Sequence, residues 1–356
     1  MNPRHWLFLA PLTTPARFVA AEFGRTVVSA ETLRGDGSAL SMRWVRSQFR
    51  RTDDGSGGRL QTLRRSLKFW WRCWWHAAPL GVSTRAFRES RLDSIVESEP
   101  TLPLRPLRSY LRRGLDPSRR AQAVQSHFAW LSSHFSMPWI DRLYTGETFA
   151  LLTGAPLVEG LGLTLSCAGH LGREGELAVH LEWQGERAMS VAFSVIDSRL
   201  VVASGTLTPR LRAPAGPRAV IGSIQGTRGA DARLRELSAA TQRLRPGALL
   251  VLAVQALSDA WGLEPPLGVA TRSHVYAGYA SRRRRVALDY DATWRDAGGV
   301  PLDRHYWALP AQPLLRPDSE VESRRRAQHR RRNALRTSLR ETVRRSAGAL
   351  LLPPSR

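Results

Sequence analysis

Apolar positions in the first half of the chain recur at helical spacing. Residues 60 to 76, LQTLRRSLKFWWRCWWH, place Leu60, Leu63, Leu67, Trp70, Trp71 and Trp74 near one face. Arg64, Arg65, Lys68 and Arg72 fall on another. Side chains three and four residues apart share a helix face, so this spacing predicts a basic amphipathic helix. Tryptophan beside basic residues suits a membrane interface; packing of the tryptophans into the domain is the favoured reading. Pro100, Pro103 and Pro106 then exclude a continuous helix, because each removes a backbone donor. Pro117 suits a helical first turn, and the periodicity predicts a helix from Arg119 to Phe135. His127 and His134 share a face of it and read as packed or surface histidines.

The period changes after Pro156. Leu161–Cys167, Glu176–Trp183, Ala188–Ile196, Leu200–Thr208 and Ala219–Gln225 read as strands. Turns containing Gly185–Glu186 and Asp197–Ser198 separate the middle ones, which predicts an antiparallel meander. Asp231 to Leu244 returns to helical spacing, and Pro246 opens a second helix that stops at Gly262. Leu267–Thr271 reads as a strand again. A strand, a helical crossover and a further strand predict a parallel or mixed insertion into the sheet. Val275–Tyr279 and Val286–Tyr290 are candidate edge strands. From Pro317 the chain is strongly basic, with arginines all round a helix-forming segment. Such a helix is expected to be solvent-exposed, or ordered only on binding a polyanion.

The expected organisation is therefore a poorly ordered extension over 1–58, ending in the linker TDDGSGG, and a helical region over 59–155. A sheet domain follows over 156–316 and an Arg-rich tail over 317–356. The fold class is α+β: N-terminal helices, a central mostly antiparallel sheet with a helical crossover, and a basic C-terminal helix or tail.

Charge narrows the partners. Lys and Arg number 53 against 30 Asp and Glu, a net +23, which attracts polyanions such as an anionic membrane surface, an envelope component or nucleic acid. No nucleic-acid reader motif is present, so nucleic acid ranks last. Cys73 and Cys167 stand alone and far apart, so neither a disulfide partner nor a metal site is expected. Pro11, Pro15 and Arg17 break the apolar N-terminus, making it a poor signal peptide. The longest apolar run, Ala248 to Leu257, is too short to cross a bilayer. A cytoplasmic protein, peripheral at the inner membrane, is expected; oligomeric state is left open.

Candidate chemistry is sparse. There is no GxSxG, GxxxxGK[ST], HExxH or GxGxxG, which removes the commonest hydrolases, P-loop NTPases, zincins and nucleotide dehydrogenases. In IGSIQGTRGADARLREL a strand ends at Gln225–Gly226, a turn runs to Gly229, and a helix starts near Asp231. Free N–H groups at a helix N-terminus attract phosphate, and Arg228 adds a charge. The plainer account is a turn that needs glycine. His274, Tyr276 and Asp289 follow predicted strand ends and are candidates for general acid and base. Their plainer account is core aromatics, with acids pairing the arginines at 282 to 285.

Several stretches together resemble the VirK/YbjX family of bacterial envelope and virulence proteins. They are Pro106, Tyr110 and Leu111 in RPLRSYL, His127–Phe128, IGSIQG, LRPGALL and HVY. DYDATWRDAGG, the WALP at Trp307 to Pro310 and SEVESRRRAQHRRR complete the set. The resemblance covers roughly residues 60 to 335 and departs in the long N-terminal extension and the arginine bias. It implies a role in envelope stress, resistance to cationic antimicrobial peptides or display of virulence factors, and supplies no reaction. The element order also resembles the acetyltransferase-type (GNAT) fold, whose turn after the fourth strand cradles the pyrophosphate of an acyl-coenzyme A. Gln225, Gly226, Arg228 and Gly229 would occupy that place, although Arg228 stands where that motif has its first glycine. Three functions follow: an acyltransferase using His274, Tyr276 or Asp289, a non-catalytic protein docked on a membrane or partner, or, ranked last, a nucleic-acid-binding regulator.

Overall fold

The computed structural model describes residues 45–46, 48–50, 59–153, 158–200, 216–277 and 288–353. The predicted extension up to residue 44, the linker Thr52–Gly58 and nearly all of the predicted strand Leu200–Thr208 lie outside them. One sheet organises the rest. Its strands are β1 (Phe149–Ala150), β2 (Leu161–Cys167), β3 (Leu177–Trp183), β4 (Glu186–Asp197), β5 (Pro217–Gly226), β6 (Glu264–Val269), β7 (Val300–Pro301) and β8 (Tyr306–Ala308). They lie in the order β1-β2-β3-β4-β5-β6-β8-β7. Neighbours are antiparallel except β5 and β6, which pair in parallel from Arg218↔Glu264 to Ile221↔Gly268. The predicted crossover is present, and so is the antiparallel meander except that β4 pairs directly with β5, without the predicted strand Leu200–Thr208 between them.

Local chemistry accounts for these pairings. Between β3 and β4 the turn residues Gln184 and Gly185 both have positive φ, 52° and 79°. A two-residue turn of that hand matches the right-handed twist of the strands it joins. The crossover from β5 to β6 runs through α6 (Asp231–Ala240) and α7 (Pro246–Ala260). Every residue of α7 from Leu249 to Ser258 is buried, as expected of a helix apolar all round.

Ahead of the sheet stand α1 (Arg59–Trp75), α2 (Ala77–Glu89), α3 (Asp93–Ser98), a 3-10 turn over Leu102–Leu107, α4 (Pro117–His134) and α5 (Met137–Tyr144). Asp116 caps α4 by accepting from Arg119 N at 3.0 Å, with Pro117 in the first turn. His127 sits fully buried on its sheet-facing side, and its Nδ1 accepts from Val195 N at 3.2 Å. Burial pulls this imidazole down to about 3, so it is a neutral packed residue. Trp130, Phe135 and Phe193 converge on Trp261 and join α4 to α7 over the sheet.

Two expectations are corrected here. Neither Val275–Tyr279 nor Val286–Tyr290 is an edge strand in its described part. Val275 to Ala277 form turns, and Tyr290 opens the helix α8 (Tyr290–Asp296). The edge is made instead by β8 and β7. The second correction is the basic tail. Residues Ser323–Gly348 form one helix, α9, packed against α7. Leu335, Leu339, Val343 and Ala347 recur every fourth residue, and the last three are fully buried in the main core. Trp261 Nε1 donates to Ala347 O at 3.2 Å, and Arg340 pairs with Asp259 at 2.7 Å. The arginines surround a narrow apolar seam, and the seam decides where the helix goes.

Candidate functional site

A glycine-lined contact brings part of the predicted site together. Pairing of β4 with β5 jumps from Ala192↔Ser223 to Phe193↔Ile221, leaving Gly222 as an extra residue. A Cβ on Gly222 would lie 1.9 Å from the Glu174 carbonyl oxygen, and one on Gly175 would lie 2.4 Å from Phe193 N. Only glycine at both places lets the loop around Glu174 press onto the sheet beside this bulge. Glu174 is buried as a result, and Gln225 Nε2 donates to its Oε1 at 2.8 Å. Its Oε2 has no partner among the described residues. Burial pushes the carboxyl up to about 7, with the bond from Gln225 opposing.

The other side of β5 is closed by α8. Tyr290 Oη donates to Ile224 O at 3.0 Å, and its ring stacks on His274 with centroids 5.1 Å apart and planes 11° apart. His274 is buried. Its Nδ1 accepts from Tyr276 N at 3.3 Å, and its Nε2 has no partner among the described residues. Burial pulls this imidazole down to about 4, so it is neutral near pH 7. The Arg173 guanidinium lies over the Tyr276 ring at 5.9 Å.

Gln225, His274 and Tyr276 are thus gathered around Tyr290 and around Glu174, which the sequence reasoning missed. The other predicted residues are not. Gly226, Arg228 and Gly229 lie in an exposed turn, where Gly229 supplies a φ of 78°. Asp289 is the N-cap of α8: it accepts from Ala292 N at 3.1 Å and from Thr271 Oγ1 at 3.3 Å. Capping accounts for this carboxylate without any proton transfer. Tyr290 reaches Ile224 O from one side, and Trp294 Nε1 donates to Val269 O at 2.9 Å from the other. These two side chains of α8 thus bond to backbone carbonyls at the ends of β5 and β6. Arg228 stands in place of the glycine that an acyl-coenzyme A turn uses.

A different surface presents itself on α1. Trp70, Trp71, Trp74 and Trp75 are 37%, 52%, 38% and 47% exposed, and Leu63 and Leu67 beside them are exposed as well. The expected burial of the tryptophans is therefore corrected. Trp71 lies 5.2 Å from Trp74 and 5.9 Å from Trp75, ring centre to ring centre. The helix is held by a narrow seam. Cys73 is buried with Ala77, Leu80, Leu104, Leu107 and Val45, and Phe69 packs beside them. Burial pushes the Cys73 thiol up to about 12, which makes it inert. At about 100° per residue the positions from Trp70 round to Trp75 span an arc of about 140°, too wide for such a seam to cover. Lys68 and Arg72 follow on the next flank, and Arg64 lies at the border of the indole arc. The arrangement has three sides: a core seam, an exposed indole face and a cationic edge. Among the described residues, no helix is long and apolar enough to cross a membrane.

Comparison with known proteins places the whole assembly in one group. The sequence pattern of the family described as "Protein of unknown function (DUF535)" matches residues 58–345. The chain is 27% identical over 252 residues to "Uncharacterized protein YbjX" of Escherichia coli (strain K12), covering 68% of this chain and 70% of that protein. No solved structure matches. Since the match runs from the start of α1 almost to the end of α9, the chain belongs to this family, that of the VirK/YbjX proteins.

Proposed function

We propose that this protein binds anionic bilayer surfaces peripherally through the tryptophan face of α1, as a non-catalytic membrane-docking protein of the bacterial envelope. The observation that carries this reading is the set of four exposed indoles on a helix with a cationic edge. Exposed apolar surface of that size marks an interaction site. Indole is apolar in body with one polar N–H, which suits the headgroup boundary of a bilayer. Each basic side chain near an anionic leaflet adds about 1 kcal/mol. A role in envelope stress, resistance to cationic peptides or virulence-factor display, as the family resemblance implies, would be served from the inner membrane face.

Flotation of the full chain with vesicles tests this. Binding to phosphatidylcholine vesicles containing phosphatidylglycerol, weakening with added salt and lost when Trp71, Trp74 and Trp75 become Ala, is the expected result. Equal binding by wild type and the triple variant removes the reading. Acyl transfer has less behind it, because Gly226, Arg228 and Gly229 are exposed and Arg228 stands in place of a glycine. Calorimetric binding of acetyl-coenzyme A that Arg228→Ala abolishes would restore it.

A further inference from the structure

Beside α1 the chain gathers arginines with too few carboxylates to balance them. Arg72, on the cationic edge of α1, donates through Nη2 to Leu107 O. Arg120, on α4, donates through Nη1 to Pro106 O at 2.7 Å and to Arg108 O, and through Nε to Leu115 O at 2.9 Å. The three consecutive carbonyls of Pro106 to Arg108 therefore each accept from a guanidinium supplied by one of two helices. Arg108 contributes one of these carbonyls, and its partly exposed side chain makes no hydrogen bond or ion pair among the described residues. Arg105 is one turn away. It is fixed on the buried Glu176 at 3.0 and 3.3 Å and packs on Gly172, where a Cβ would lie 2.4 Å from its Nη2. The nearby acids already have partners: Glu176 holds Arg105, Asp116 caps α4 and pairs with Arg119, and Glu99 accepts from Thr101 Oγ1. Partial burial and the charges of Arg173, Arg105 and Arg72 hold the Arg108 guanidinium below its usual range, with the charge of Glu99 opposing them.

Like charges gathered this way repel one another, and an anion from outside the chain relieves that repulsion. Guanidinium forks match phosphate oxygens in pairs, and each fork here keeps N–H groups beyond those given to carbonyls. A phosphomonoester is the anion whose double charge and three terminal oxygens best answer three arginines.

We infer that Arg72, Arg108 and Arg120 form a site for the phosphomonoester headgroup of a membrane lipid. The inference rests on the membrane reading above, since the helix that supplies Arg72 also carries the indole face and would bring this cluster to headgroup level.

The test uses the full chain and two vesicle types of equal zeta potential, one with phosphatidic acid and one with phosphatidylglycerol. Wild type is expected to bind the phosphatidic acid vesicles about tenfold more tightly. Arg108→Gln should abolish that preference while changing binding to phosphatidylglycerol vesicles less than about twofold. Arg108 bonds no group of the described residues through its side chain, so this variant should fold normally, which an unchanged melting temperature checks. No preference in wild type, or a preference that survives in Arg108→Gln, overturns the assignment and leaves the indole reading standing. Binding to neither vesicle removes both. If glycerol 3-phosphate in solution binds as tightly as the vesicles do, the ligand is a free phosphate ester and the lipid assignment fails.

Discussion

Helices α1 and α9 are both strongly basic, and they keep opposite company. In α1, aromatic residues dominate the apolar positions, yet the indoles face outward, and among its described side chains only Cys73 is fully buried, beside Phe69. In α9, arginines dominate the composition, yet Leu339, Val343 and Ala347 are fully buried. Total hydrophobicity would rank them the other way. What separates them is the width of the apolar stripe relative to the surface available to receive it. The stripe of α9 is one residue wide and repeats every fourth position, so α7 covers it. The stripe of α1 is broader than the small cluster of Leu80, Leu104 and Leu107 can receive. A helix docks by its seam, and whatever lies outside the seam is available for other work.

The comparison can be broken most severely at α9. Removal of residues 323–348 should abolish cooperative unfolding in denaturant, and Leu339→Ala alone should cost about 3 kcal/mol. A truncated chain that unfolds with the wild-type midpoint would make α9 an appendage after all. Next in size is a contrast in titration, because Glu174 lies in the core and α1 carries no such group. The folded pKa of Glu174 is raised, so the stability it confers is present below about 4.5 and lost as pH rises through about 7. Glu174→Gln should match wild type in acid and exceed it above pH 7 by up to about 3 kcal/mol, read from urea midpoints across that range. A constant difference at all pH values would remove the buried acid from the account.

Smaller still is the effect at α1. Changing Trp71, Trp74 and Trp75 to Ala should weaken vesicle binding at least about tenfold, near 1.4 kcal/mol, with the melting temperature within about 2 °C. A large loss of thermal stability would mean that these indoles support the fold. The smallest effect expected is that of Arg340→Ala. Its pairing with the half-exposed Asp259 is worth less than about 1 kcal/mol, so the seam and not the charge should carry α9. Destabilisation comparable to Leu339→Ala would reverse that ranking.

The parts of the fold legible in the sequence are those whose signal is long and local. β2 coincides with its predicted limits, and β3, β4, β5, α4 and α7 lie within a few residues of theirs, because sustained periods of two or of 3.6 marked them. β7 and β8 were missed since two and three residues carry no period. The seam of α9 was hidden by the arginines on either side of it. At the candidate site, His274 and Tyr276 were placed by their position after a strand. Asp289 is the N-cap of α8, and in sequence an N-cap and a catalytic carboxylate look alike. Glu174 could not be found at all. Its burial depends on Gly222, nearly fifty positions away, yielding room for its backbone, and no local pattern encodes a contact of that kind.

The position of the α9 seam also has a consequence for biosynthesis. α7 is almost wholly buried, and one of its neighbours in the core is the seam of residues 335 to 347, made long after it. A nascent chain that has emerged through β8 therefore still presents an oily helix to its surroundings. Ribosome stalling or proteolysis anywhere between β8 and residue 339 should yield a sticky, chaperone-bound fragment. In this architecture the arginine-rich helix serves as the closing latch of the core, and its charges keep that latch dissolved until it engages.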